Sequence, residues 1–196
     1  MLKILVKLII LIGFFFISPL IIISMLVVLI EDGLPVIFIQ KRYGKDRKIF
    51  NIFKLRTMKK NTPNIGTHEI DESNLLLCGQ YLRKFKIDEL PQITNYLKGD
   101  INLIGPRPGL PSQKELAEHR LANNIYVIKP GITGLSQILG YDMSNPKKLS
   151  KVDKLYIDKK TLGLDILIFF ATFFKSIRIR ISDKLSEELN EINKDV

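Results

Sequence analysis

An uncharged apolar run near the N-terminus constrains this chain more than any other feature. Residues 8–30 read LIILIGFFFISPLIIISMLVVLI and contain no charged side chain. A straight helix of this length, at about 1.5 Å per residue, reaches roughly 35 Å, enough to cross the hydrocarbon core of a bilayer. The run is longer than the apolar core of a secretory signal peptide, and no small-residue cleavage site follows it. It predicts a permanent membrane element.

The middle and the flanks of this run predict its path. Pro19 has no N–H for the carbonyl of Phe15, so we expect a bend at Ser18-Pro19, where the Ser18 hydroxyl can satisfy the freed carbonyl. Lysine and arginine, which collect on the cytoplasmic side of membranes, lie on both sides of the run. A re-entrant helix that enters, bends and leaves on the same face satisfies both flanks. A kinked helix that spans the bilayer is the alternative.

A second apolar segment, residues 161–180, is too short and too charged to span comfortably. We expect an interfacial helix with its basic end on anionic headgroups, and an amphipathic core helix is the alternative. The polar residues that follow predict a solvated helix or a frayed end. The expected organisation is a membrane helix over residues 1–34, a cytoplasmic membrane-associated domain over 35–181, and a polar tail over 182–196.

The net charge of +10 predicts an anionic partner, namely nucleic acid, a membrane surface or a phosphorylated small molecule. Nucleic acid is disfavoured, because the sequence has no tryptophan and few aromatic residues interleaved with lysine and arginine for base stacking. Cys78 is the only cysteine and lies among leucines. It predicts an inert core residue in a reducing compartment rather than a nucleophile.

Between the apolar segments, the pattern predicts a mixed α/β domain that is mostly helical. Residues 35–58 pair two β-rich runs around a turn at 44–46, which is typical of a β-hairpin. Residues 58–73 are polar and predict a loop. Ser73 is predicted to open an amphipathic helix that contains Arg83. The sequence has no zinc-ligand spacing, P-loop or GxSxG motif.

Asp88 and Glu89 are adjacent acids in the motif KIDELPQ, ahead of a helix-like run over residues 90–100. Asp88 fits an N-cap and Pro91 the first helical turn, so one interpretation is that the acids only stabilise a helix start. A second interpretation is chemical. Two carboxylates can hold Mg²⁺ beside a pyrophosphate, and one carboxylate can itself attack phosphorus.

Basic residues on both sides of the acids support the chemical interpretation. Two of them alternate on a predicted strand and share one face, and a third lies shortly before the acids. A fourth lies in a Gly/Pro-rich turn, residues 104–109, and a second such turn occupies residues 129–137. Guanidinium groups and turn N–H groups favour a site for phosphate oxygens. The predicted phosphate-binding residues are Lys54, Arg56, Arg83 and Arg107.

In their order and spacing, Ser18-Pro19, FKLRTM, LRKFKIDELPQ, LKGDINLIGPRP and KPGITGLSQ resemble the monotopic bacterial polyprenyl-phosphate phosphoglycosyl transferases, also called bacterial sugar transferases. The resemblance implies transfer of a phospho-sugar from a nucleotide diphosphate sugar, usually a UDP-sugar, to undecaprenyl phosphate. It places this phosphotransferase on the cytoplasmic face of the inner membrane, at the first membrane step of surface-glycan biosynthesis. The implied partners are these two substrates and membrane lipids, without nucleic acid.

The family's Asp-Glu pair falls on Asp88 and Glu89. The resemblance implies that Asp88 is the nucleophile of a ping-pong reaction that releases UMP, and that both acids are catalytic and hold Mg²⁺. It also implies a re-entrant membrane helix broken at Ser18-Pro19, with interfacial amphipathic helices around a cytoplasmic active site. The resemblance is to the compact members, which are expected to lack the extra N-terminal membrane domain of larger members.

One stretch departs from the family pattern. After PGITGLSQ the family commonly continues with a short apolar residue, Asn or Ser, and then Gly-Arg, whereas residues 138–142 read Ile-Leu-Gly-Tyr-Asp here. The sugar or phosphate contact of that arginine is therefore not expected. A non-enzymatic basic membrane-surface binding protein is the alternative function, and it has no need for adjacent acids inside a basic region.

Overall fold

The computed structural model describes residues 2–62 and 72–194. Most of the loop predicted over residues 58–73 lies outside the described residues. The described part is mostly helical with two small two-stranded sheets, which confirms the predicted mixture of helix and strand. It divides into two compact units, Met1–Gln40 with Asn51–Gly99 and Lys41–Phe50 with Asp100–Val196. The domain boundaries expected from the sequence stay predictions.

Helix α1, Leu2–Asp32, is continuous and contains Pro19. Its stretch Ile10–Asp32 is long and apolar enough to cross a membrane, and only 11% of its most apolar window is buried against the protein. The Ser18 hydroxyl donates to the Phe15 carbonyl at 2.7 Å, the carbonyl that Pro19 leaves without a helical partner. This predicted contact is confirmed, whereas the re-entrant path stays a prediction.

The C-terminal half of α1 packs on the first unit through one face. Ile21 and Val28 are buried in a cluster with Leu55, Leu76 and Leu82. The other faces expose large apolar side chains to the surroundings, and a surface of this kind fits contact with lipid better than contact with water. Among the exposed residues are Phe15, Phe16, Ile22, Ile23, Leu26 and Ile30.

Strands β1, Ile37–Tyr43, and β2, Ile49–Leu55, pair in a two-stranded sheet around a short turn. The predicted hairpin is confirmed. The fully buried Asn95 bonds to β2 as a neighbouring strand does. Its Nδ2 donates to the Asn51 carbonyl at 2.7 Å, and its Oδ1 accepts the Phe53 N–H at 3.2 Å.

Helix α2 spans Leu77–Lys84, and residues Glu72–Asn74 form a separate 3-10 turn. The predicted helix start at Ser73 is therefore wrong. Leu76 occupies the N-cap position of α2, and its side chain makes no capping hydrogen bond. The helix begins where it does because a carboxylate from α1 accepts its first N–H groups, and such a distant partner leaves no local sequence signal.

The second unit contains a short parallel sheet. β3, Asn102–Ile104, pairs with β4, Gly131–Thr133, and this brings the two Gly/Pro-rich turns of the sequence together. The backbones approach so closely that a Cβ on Gly131 would lie 2.1 Å from the Gly105 nitrogen. Glycine is required there for close approach of two backbones, which gives these motifs a structural purpose.

Helices surround this sheet in the second unit. The described ones are α4 (Lys114–Ala122), α5 (Leu135–Ile138), α6 (Pro146–Asp158), α7 (Leu162–Ala171), α8 (Lys175–Lys184) and α9 (Ser186–Lys194). The single helix predicted over residues 161–180 is thus two helices, α7 and α8. α7 buries Ile168 and Ala171 in the core and exposes Phe169 and Phe170. One face of α7 packs in the core, as predicted for an amphipathic core helix. Contact of its exposed face with the membrane stays a prediction.

The segment predicted as a polar tail is packed where the structure describes it. Leu185 and Leu189 are buried in the core of the second unit, and α9 packs against α6. Leu185 is the turn residue between α8 and α9, and Leu189 lies on α9. The described part is nevertheless helical and mostly exposed, as the predicted solvated helix requires, whereas the frayed end is not found there.

Candidate active site

Asp88 and Glu89 lie in a 3-10 helix, Ile87–Gln92, between α2 and α3, which spans Ile93–Lys98. The N-cap of this 3-10 helix is Lys86, in the left-handed conformation with φ of 58°, and no side chain caps the helix. Asp88 is therefore not an N-cap, and that prediction is wrong. Capping does not explain why the two acids are there.

Both acids are nearly buried, with 8% of each residue exposed. The Lys54 ammonium donates to Glu89 Oε1 at 3.1 Å. Asp88 Oδ1 is buried and has no hydrogen-bond partner among the described residues. Burial raises the pKa of Asp88 above its ordinary value, the charge of Glu89 adds to the rise, and Lys54 opposes it. Asp88 is a poorly stabilised anion, which is typical of a reactive group.

Arg83 and Lys86 add positive charge on the same side of the first unit. Both favour the ionised form of Asp88 and so lower its pKa, against the larger effect of burial. Arg83 lies in the last turn of α2, and its Nε donates to Thr57 Oγ1 at 2.9 Å. The structure thus brings both acids, Lys54 and Arg83 into one unit. Phosphate binding by Lys54 and Arg83 stays a prediction.

Arg56 makes contacts that the sequence did not predict. Its Nη1 donates to Asp32 Oδ2 at 2.5 Å, and its Nη2 donates to the carbonyls of Asp32 and Gly33 at 3.0 and 2.6 Å. The Arg56 side chain is buried, and its guanidinium is hydrogen-bonded to the C-terminal end of α1. Nothing in these contacts tests its predicted role in phosphate binding.

Arg107 belongs to the second unit, in the turn after β3. Two buried arginines hold the main chain of this turn: Arg120 Nη1 donates to the Arg107 carbonyl at 2.7 Å, and Arg42 Nη1 donates to the Pro108 carbonyl at 2.9 Å. These two bonds hold the main chain at residues 107 and 108. Its role in phosphate binding stays a prediction.

Two N–H groups of the Gly/Pro-rich turns have internal partners. The Gly105 N–H donates to the Thr133 carbonyl and the Gly131 N–H to the Pro106 carbonyl, both at 2.9 Å. These two N–H groups hold the turns together and are not available for phosphate oxygens.

Sequence analysis missed a buried ion pair that supports the Arg107 turn. Arg120 donates to Asp153 Oδ2 through Nε at 3.0 Å and Nη2 at 2.6 Å, and Ser136 donates to Oδ1 at 2.9 Å. Arg120 and Asp153 are 2% and 1% exposed. They lie 33 residues apart, so no local motif indicates the pair.

Tyr141 and Asp142 stand where the family usually has Arg, and both make local contacts. Asn193 Nδ2 on α9 donates to the Tyr141 hydroxyl oxygen at 3.2 Å. Asp142 Oδ1 accepts the Ser144 N–H at 2.9 Å, which forms a turn before α6. The described contacts of this segment are therefore structural.

The chain is similar to known sugar transferases. The family described as Bacterial sugar transferase matches residues 1–179. A relative from Bacillus subtilis strain 168, named uncharacterized sugar transferase EpsL, is 39% identical over 158 residues, which cover 81% of this chain and 78% of that protein.

Two longer relatives have more specific names. An Aeromonas hydrophila protein named UDP-N-acetylgalactosamine-undecaprenyl-phosphate N-acetylgalactosaminephosphotransferase is 35% identical, over 79% of this chain and 38% of its own length. A Klebsiella pneumoniae protein named UDP-glucose:undecaprenyl-phosphate glucose-1-phosphate transferase is 34% identical, over 81% of this chain and 36% of its own length. The chain thus spans little more than a third of these two relatives. The match to the family covers nearly all of the chain, and this protein belongs to the bacterial sugar transferase family.

Proposed function

We propose that this protein transfers a phospho-sugar from a UDP-sugar to undecaprenyl phosphate and releases UMP, as the first membrane step of surface-glycan biosynthesis. The proposal rests above all on Asp88, a buried carboxylate with a raised pKa, beside Glu89 in a basic setting. Membership of the family and the printed names of the two longer relatives support the donor and the acceptor.

The reaction proceeds in two displacements on phosphorus. A carboxylate oxygen of Asp88 attacks the phosphorus that bears the sugar, so an aspartyl–phosphorus bond forms, the pyrophosphate P–O bond breaks, and UMP leaves with the bonding electrons. A phosphate oxygen of undecaprenyl phosphate then attacks the same phosphorus and releases Asp88 as a carboxylate. Because a raised pKa makes an ionised carboxylate more basic, it also strengthens Asp88 as a nucleophile.

The two acids fit a magnesium site. Mg²⁺ usually binds proteins through one or two carboxylates and takes its other ligands from water and substrate phosphates. The adjacent carboxylates of Asp88 and Glu89 offer such a pair, and Asp88 Oδ1, which has no hydrogen-bond partner among the described residues, is suited to a cation. When bound, the ion neutralises the charge of the donor pyrophosphate.

A donor-only incubation tests the covalent step. With a panel of UDP-sugars and Mg²⁺ but without lipid, intact mass spectrometry is expected to show an adduct of sugar plus phosphate on the protein, with one UMP released for each adduct. The Asp88→Asn protein serves as the control and forms no adduct. Release of UMP only after undecaprenyl phosphate is added would contradict the two-step scheme.

Arg107 is expected to contact phosphate oxygens through the planar fork of its guanidinium. Arg107→Lys keeps the charge but loses two-pronged binding, so we expect kcat/KM for the UDP-sugar to fall about tenfold or more. Arg180→Lys, at an exposed position of α8, is the matched control and keeps normal turnover. Unchanged turnover in Arg107→Lys would mean that this residue only supports its turn.

We further propose that α1 is re-entrant and that the active site faces the cytoplasm at the inner membrane. In a Cys78→Ala background, single cysteines at positions 2 and 45 are expected to react only with a reagent applied from the cytoplasmic side. Ser18→Ala with Pro19→Ala restores the helical N–H and removes the cause of the predicted bend, so position 2 is expected to move to the far face. Far-side labelling of position 2 with Ser18 and Pro19 intact would establish a single span instead.

A further inference from the structure

We propose that Glu31, Asp32 and Arg56, here called the α1 junction, fix the distance between the membrane helix and the Asp88–Glu89 pair, and so position the active site for the phosphate of the lipid acceptor. This inference rests on the proposed function. It assigns to Glu31 and Asp32 the role of positioning residues, which hold α1 against α2 and the main chain after β2 and do not touch substrate.

The first half of the junction ties α1 to the strand side of the first unit. Arg56, which follows β2, donates three hydrogen bonds, one to the Asp32 carboxylate and one each to the carbonyls of Asp32 and Gly33. Asp32 Oδ2 also accepts the Lys60 N–H at 3.2 Å. Gly33 ends α1 with φ of 66° and donates its N–H to the Leu29 carbonyl at 2.9 Å. The last turn of the helix is therefore held at several points.

The second half ties α1 to α2. The Glu31 carboxylate accepts the Leu77 N–H at 2.6 Å through Oε1 and the Cys78 N–H at 3.0 Å through Oε2. These are the first two N–H groups of α2, which have no partner inside the helix, and the carboxylate also favours the positive end of the helix dipole. An acid of the membrane helix thus serves as the N-terminal cap of α2.

α2 connects the α1 junction to Asp88 and Glu89. The Leu76 N–H donates to the Thr57 carbonyl at 3.0 Å, and a Cβ on Gly79 would lie 2.3 Å from the same oxygen, so α2 sits directly on the main chain after β2. At its other end, the Lys86 N–H donates to the Arg83 carbonyl at 3.1 Å and the Glu89 N–H to the Lys86 carbonyl at 3.3 Å. A continuous set of hydrogen bonds therefore links the end of α1 to Glu89.

The two substrates differ in what they require from this link. A UDP-sugar reaches the site from water, whatever the position of α1. The phosphate of a long polyprenyl chain is held at the membrane surface, so its approach to Asp88 depends on the distance between the site and α1. A looser junction is expected to harm attack by the lipid phosphate and to spare the donor step.

Glu31→Gln is the first test, because Glu31 is exposed and the substitution removes one of two acceptors and the charge without a change of size. We expect kcat/KM for undecaprenyl phosphate in vesicles to fall about ten- to hundredfold, as displacements near 1 Å can cause. The burst of UMP from donor alone, and turnover with a short-chain water-soluble polyprenyl phosphate, are expected to stay within about twofold of the unmodified protein.

Asp32→Asn, which removes the charge that holds Arg56 Nη1, is expected to show the same split between the two acceptors. Asp46→Asn is the matched control on the exposed turn of the hairpin and is expected to change neither. Equal losses with both acceptors, or a loss of the donor burst in both variants, would reduce the junction to a stabilising contact and overturn the proposal. No loss in either variant would also overturn it. Absence of a burst and of lipid product in the unmodified protein would instead refute the proposed function.

Discussion

Replacement of Asp88 by asparagine is expected to lower phospho-sugar transfer by several orders of magnitude and, at neutral pH, to raise the midpoint of thermal unfolding. The loss follows because an amide is a far weaker nucleophile and metal ligand than a carboxylate. The gain follows because Asp88 is buried, Oδ1 has no partner among the described residues, and its ionisation costs free energy in the folded protein.

The pH dependence of the gain has a definite sign. The ordinary pKa of Asp88 is 3.8, and burial raises the pKa in the folded protein. Between these two values the folded state holds the proton that the unfolded state has lost, so the stability of the unmodified protein falls as pH rises. The difference between Asp88→Asn and the unmodified protein is therefore absent below about pH 3.8 and develops as pH rises through the raised pKa.

Glu89→Gln is the matched control, since Glu89 is equally buried but bonded to Lys54 at 3.1 Å. It is expected to lose activity without a gain in stability, because it leaves the ammonium with a weaker partner. Thermal unfolding from pH 3 to 8 and a transfer assay measure both effects. Normal transfer by Asp88→Asn would favour a binding protein over an enzyme.

Arg120→Met is expected to destabilise the protein by about 3–5 kcal/mol, because it leaves the Asp153 carboxylate buried without its counter-ion. Asp153 is 1% exposed, so water does not replace the guanidinium. Denaturant unfolding at neutral pH measures the change in the free energy of unfolding.

The double variant Arg120→Met with Asp153→Leu separates stability from placement of Arg107. Replacement of a whole buried ion pair by apolar residues is often near neutral, so most of the stability is expected to return. Activity is expected to stay low, because the Arg107 carbonyl still lacks the Nη1 donor that holds it at 2.7 Å. Full activity in the stable double variant would show that the turn needs no such support.

Features set by residues close in sequence were predicted well. Ser18 satisfies the carbonyl that Pro19 frees, and the hairpin over residues 37–55 follows from alternation around a turn. Where a distant partner decides, the predictions were wrong or incomplete. α2 begins at Leu77 because Glu31 caps it, and the burial of Leu185 and Leu189 in the core of the second unit was not predicted.

In the candidate site, too, features set by neighbouring residues were predicted and features set by distant partners were not. Adjacency of Asp88 and Glu89 in a basic stretch was visible in the sequence, and their burial gives it chemical meaning. The bonds from Arg56 to the end of α1 were not visible, since a strand pattern indicates a shared face but not the partner of each side chain. The Arg120–Asp153 pair was invisible for the same reason.

Asn95 has a consequence for the behaviour of the protein before it reaches a membrane. Its side-chain amide occupies the Asn51 carbonyl and the Phe53 N–H on the outer edge of β2. An open strand edge invites pairing with a strand of another chain, which starts aggregation. This chain also exposes many large apolar side chains on α1 and α7, and exposed apolar surface of this kind favours association between copies in water. By closing that edge with one side chain, Asn95 removes a template for intermolecular β-sheet without the cost of a third strand.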